Sequence, residues 1–112
     1  MEAVWINQDM AAPAAGEDFV AGDSVVAEAL AGAAHGDAAS CFDLGVAFST
    51  GSHGAVCDLI EAHKWFNLAT VYGHDEAAVC RAEVADDMTA REIAEAQRRA
   101  RQWLGATVRK AA

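Results

Sequence analysis

The apolar positions of this chain recur at helical spacing from residue 24 onward, most clearly between Ala38 and Gly73. Leu59, Ala62, Phe66 and Ala69 form an i, i+3, i+7, i+10 stripe widened by Trp65 and Tyr72, while Glu61 and Lys64 lie one turn apart on a more polar side. Asp58 followed three residues later by Glu61 predicts a capping box opening this helix, and Gly73 its end. Just before it, Cys41, Leu44, Gly45 and Phe48 fall at i, i+3, i+4, i+7 and predict a helix from about Ala38 to Phe48. Gly45 costs a helix interior roughly 1 kcal/mol against alanine. Close approach of a neighbouring helix, which a Cβ would obstruct, is the expected compensation. Ser49 to Gly54 is a cluster of turn residues between the two helices.

Three weaker patterns flank this pair. Asp23-Ser24 as cap and Gly36 as terminator predict a helix from Ser24 or Val25 to Ala34, with Val26, Leu30 and Ala33 on one face. Ala77, Ala78, Val79, Ala82 and Val84 suggest a helix from Asp75 or Glu76 to about Asp86, short and alanine-rich enough to need tertiary support. Thr89 with Glu92 is a second capping box, opening a helix that carries Ile93, Ala96, Ala100, Trp103 and Leu104 and is expected to stop at Gly105. The reading is therefore all-α, about five helices in one domain over 18–105, with a flexible N-terminal arm over 1–17 and a frayed tail over 106–112. Within the arm, Val4-Trp5-Ile6 is a short apolar run suited to docking on the body or on a neighbouring chain.

Gly36-Asp37 and Gly73-His74 each follow a helix and precede another, giving a period of 37 residues. Periods of that size mark solenoids of helical pairs. At this spacing the chain resembles the Sel-one-like repeat family, relatives of the tetratricopeptide repeat, whose pattern is A-x-x-x-L-G-x-x-Y-x-x-G followed by D-x-x-x-A-x-x-W-x-x-x-A and G. Leu44, Gly45, Gly51, Asp58, Ala62, Trp65, Ala69 and Gly73 match it, with Ser40 at the first alanine and Phe48 at the tyrosine. The stretch from Asp58 to Ala69 looks especially like short bacterial members. In the next unit Arg81 stands where leucine is expected, and the later elements are missing. The resemblance implies a short α/α solenoid: one full repeat between two partial ones, closed by a C-terminal capping helix. One helical pair cannot bury its own apolar stripe, so the flanking helices must cover it.

Charge narrows the partners. The net charge of −9 opposes general binding to a phosphate backbone, so nucleic acid is not expected. Six of the eight basic residues follow Met88, whereas most acids precede it, so a basic end and an acidic body can attract each other. No apolar run approaches the roughly 20 residues that span a bilayer, and Met1-Glu2 does not open a signal peptide. The cytoplasm is the expected compartment. Cys41, Cys57 and Cys80 contain no C-x-x-C and read as reduced thiols.

Candidate chemistry is thin. His53, Cys57 and His63 are spaced H-x3-C-x5-H, which matches no recognised zinc pattern, and His63 is read as an exposed or half-buried helix residue. Cys80 with His74, or Cys57 with His53, would make a nucleophile pair only with an orienting group that the sequence does not supply. No catalytic residue, metal or cofactor is assigned. The resemblance implies a protein-interaction or adaptor module whose first helices line a shallow concave face. The 37-residue period maps Ala39, Asp43 and Ala47 onto Glu76, Cys80 and Val84 as lining positions, and small and acidic side chains there favour a partner segment carrying Lys or Arg. The partner is another protein or a second copy of the chain. The alternatives are a small metal-binding or thiol-dependent enzyme using His53, Cys57, His63 or Cys80, and a structural subunit of a larger assembly.

Overall fold

The computed structural model describes residues 20–111, in which five helices and no strand occur. The expected arm, with Val4-Trp5-Ile6, lies outside the described residues. The helices are α1 (Val20–Ala34), α2 (Ala38–Thr50), α3 (Leu59–Val71), α4 (Ala77–Ala85) and α5 (Ala90–Ala111). Helix α3 is central, packing against α2, α4 and α5, while α1 lies on α2.

The pattern of apolar positions explains that centrality. In α3, Ala62, His63, Trp65, Phe66, Leu68 and Ala69 are all buried, more than one stripe's worth, because neighbours cover the helix on several sides. Trp65, Leu68 and Ala69 join Ala29 and Ala33 of α1, Cys41 and Leu44 of α2, Ala77 of α4 and Ala100 of α5 in one core cluster. Ala62 and Phe66 join Val84 of α4 in a second, with Phe42 and Phe48 packed against both. Gly45 fulfils the expected close approach: a Cβ there would lie 2.5 Å from Cδ1 of Phe66.

Helix ends follow local chemistry. The Asp58 carboxylate accepts from the backbone N–H groups of Ile60 and Glu61 at 3.1 and 3.2 Å, capping α3. Its box is only half made, because the Asp58 N–H donates to the Phe48 carbonyl and the Glu61 carboxylate is used elsewhere. At α5 the box is complete: the Thr89 N–H donates to Glu92 Oε1 at 2.9 Å, and the Glu92 N–H to Thr89 Oγ1 at 3.1 Å. Gly36 (φ 80°) and Gly73 (φ 103°) take the left-handed conformation at the turns after α1 and α3. These turns also meet, since the Tyr72 ring lies beside Gly36.

Two boundaries differ from expectation. Helix α1 begins at Val20, placing Asp23 and Ser24 inside it, where polar residues cost well under about 1 kcal/mol each. Helix α5 continues through Gly105 to Ala111. Its strongly amphipathic pattern and its packing on α3 outweigh the roughly 1 kcal/mol penalty of one glycine.

Arg81 of α4 hydrogen-bonds across to α3: its Nη1 donates to Asn67 Oδ1 at 2.6 Å, a polar clasp between the two helices.

Candidate functional site

Two charged surfaces emerge. The first lies on α2 and α4. Ala39 and Asp43 on α2 and Glu76 at the start of α4 are exposed. Cys80 is half-buried against the second core cluster. Ala47 and Val84 are buried at 2% and 9% exposure, so they offer no contact surface. Ala47 is buried because α2 packs on both α1 and α3, which widens its buried face; Val84 is buried because it lies one heptad from Ala77 on the single face that α4 turns to α3, against Ala62 and Phe66.

Next to these acids in sequence, Phe42 of α2 and His74 of the α3–α4 turn make an aromatic contact. The Phe42 and His74 rings stack at 4.1 Å between centroids and 5° between planes, and His74 Nδ1 accepts from the Glu76 backbone N–H at 3.2 Å. The side chains of Asp43 and Glu76 make no hydrogen bond or ion pair among the described residues.

The second surface is a groove of about 410 Å³ between α3 and α5, lined by Glu61, Lys64, Arg98, Arg99, Gln102 and Trp103 among others. Here opposite charges alternate. Lys64 Nζ lies 3.3 Å from Glu61 Oε1, Arg99 Nη1 donates to Glu61 Oε2 at 2.8 Å, Arg99 Nε to Glu95 Oε2 at 2.7 Å, and Arg98 grips both Glu95 oxygens at 2.7 and 2.9 Å. Hydrogen bonds from Arg98 and Arg99 hold the Glu95 carboxyl down to about 2. Beneath this ladder the Trp65 and Trp103 rings meet edge to face at 4.9 Å, and Lys64 Nζ sits 4.3 Å from the Trp65 ring centroid. The spacing of Glu61 and Lys64 announced the polar side of α3, but nothing local in the sequence pairs Glu61 with Arg99, 38 residues away.

The chemistry-bearing candidates do not converge. His53 and Cys57 are exposed in the α2–α3 loop, whereas His63 is buried at 4% exposure with its Nδ1 unpartnered, which corrects the expectation of an exposed or half-buried residue. Burial, and then the nearby Arg81 charge, lower the His63 pKa, favouring its neutral form. Among the described residues no three His, Cys, Asp or Glu side chains gather to hold a metal. His74 is engaged with Phe42 and the Glu76 backbone and makes no hydrogen bond to Cys80. Burial pushes the Cys41 thiol up to about 11, and burial followed by Glu83 and Glu76 raises that of Cys80, disfavouring the thiolate at both.

No family model, curated protein or solved structure matches the chain. No described helix is long and apolar enough to cross a membrane.

Proposed function

We propose that this chain is a protein-interaction module of the Sel-one-like, tetratricopeptide-related kind, taking a Lys- or Arg-bearing helix or peptide on the face of α2 and α4 and performing no catalysis itself. The observation that carries this reading is the state of the acids there. Asp43 and Glu76 are exposed, stand next in sequence to the stacked Phe42 and His74 rings, and have no side-chain partner among the described residues. Exposed unpaired carboxylates contribute little to stability and are free to select a cationic ligand.

The left-handed glycines at two turns 37 residues apart, and the contact between those turns, support reading α2–α3 and α4–α5 as successive units of one short solenoid. In that arrangement α2 and α4 are the first helices and share its concave side. An array this short offers few contacts, so a single site binds modestly.

The test is a fluorescence titration with an amphipathic helical peptide carrying Lys or Arg one turn apart, beside a scrambled peptide of equal charge. Saturable binding of the first, weakened by about tenfold or more in Asp43→Arg and much weaker for the scrambled peptide, is expected. Equal binding of both peptides would reduce the effect to net charge and remove the reading.

A further inference from the structure

The acidic α2/α4 face and the α3/α5 groove are opposite in charge and sit on one molecule, and no described contact pairs one with the other. We propose that they pair between copies: Asp43 and Glu76 of one copy dock in the groove of the next, against Arg98 and Arg99 beside Trp103. This names a partner for the interaction reading above and rests on it, because α5 is then the cation-bearing helix that the acidic face takes.

Three features of the groove fit a carboxylate from outside. Its ladder holds three cations, Lys64, Arg99 and Arg98, against two carboxylates, Glu61 and Glu95, leaving one positive charge in excess. Arg99 donates through Nε and Nη1 and has no described bond from Nη2, while Arg98 reaches Gln102 only at 3.5 Å and keeps 53% of its side chain exposed. A guanidinium presents five N–H donors, so each retains capacity for another acceptor while holding its own ladder in place. The groove, about 410 Å³ in volume, has room for acidic side chains.

A second copy is favoured as the occupant because the chain itself carries the matching surface in uncompensated form. Its net charge of −9 repels other copies at long range, but at physiological ionic strength that repulsion is screened beyond roughly 8 Å, while docked pairs at hydrogen-bond distance are screened much less. The two surfaces differ, so the contact is heterologous and leaves a free groove at one end of an assembly and a free acidic face at the other.

The experiment is light scattering on the full chain over a wide range of protein concentration, in about 0.1 M and about 1 M salt, with far-UV circular dichroism to verify folding. Mass should rise with concentration at the lower salt and return to that of a monomer at the higher. Arg98→Ala and Asp43→Arg should each weaken association by about tenfold, since each removes one side of the pairing. Mixed together, the two variants should form a one-to-one dimer with the affinity of the parent contact, larger species needing about tenfold higher concentration, because Arg98→Ala keeps its acidic face and Asp43→Arg keeps its groove. A monomer under all conditions, association that persists in the higher salt, or association that needs only one of the two residues would overturn the proposal. A monomeric chain that still binds the basic peptide would overturn this pairing alone; a chain that self-associates as described yet ignores the peptide would overturn only the broader peptide-binding reading.

Discussion

Along the α3/α5 groove every lining cation is engaged: Lys64 with Glu61, Arg99 with Glu61 and Glu95, Arg98 with Glu95. On the α2/α4 face Asp43 and Glu76 stand exposed, with no side-chain partner among the described residues. In one set the Arg99–Glu61 pair ties α5 to α3 beside a pair of tryptophans; the other set ties no elements together among the described residues. The contrast separates charge engaged within the fold from charge that the proposed function assigns to recognition. It also orders the expected effects of substitution, from the core beneath the groove to the acids on the open face.

The largest effect belongs to the tryptophan pair. Trp103→Ala removes the edge-to-face partner of Trp65 and the platform beneath the ladder, and should destabilise the fold by about 3 kcal/mol in a urea or thermal melt. A loss no greater than that of a surface substitution would mean that α5 is held by its charges alone. Gly45→Val comes next. Its Cβ would fall 2.5 Å from Phe66, so α2 and α3 must separate or Phe66 must turn, at a cost of about 2 kcal/mol read in the same melt. That substitution perturbs the scaffold under the acidic face while leaving Asp43 and Glu76 in place.

Glu61→Gln sharpens the groove side of the comparison. It discharges the group that bridges Lys64 of α3 and Arg99 of α5, and should lower stability by about 1 kcal/mol, less in high salt. Acid acts on the same ladder through Glu95, whose folded pKa is held down to about 2 by Arg98 and Arg99. A depressed carboxylate contributes stability that is fully present above its unfolded pKa, here the ordinary 4.5, and is lost as pH falls through the folded value. The melting temperature should therefore decline between about pH 5 and pH 2, with a shallower decline in Glu95→Gln. At the small end, Asp43→Ala and Glu76→Ala should each change stability by no more than about 0.5 kcal/mol.

How much of this was legible in the sequence follows from how local each interaction is. The Asp58 cap, the Thr89–Glu92 box and the glycine turns at 36 and 73 are short-range devices, and each holds where the residues placed it. Gly45 was legible too, because a glycine costly to its own helix points to a neighbour that needs the space. Glu61 misled because N3 of a helix is where a capping acid sits, yet a carboxylate with Lys64 and Arg99 in reach gains more from two cations than from one backbone N–H. Ala47 and Val84 were placed on the open face by the 37-residue period, which says neither how many neighbours α2 packs against nor which face α4 turns to α3. His63 went unread as a core residue for the same reason: α3 is covered on several sides, so a residue off the main stripe is still buried.

One measurement bears on the central claim directly: stability and affinity for the basic helical peptide, determined together on the Asp43→Arg/Glu76→Arg double variant. The account predicts a melt within about 0.5 kcal/mol of the parent protein and loss of saturable binding, because these acids serve recognition and not the fold. Unchanged peptide affinity, or a melt lowered as far as that of Trp103→Ala, would contradict it.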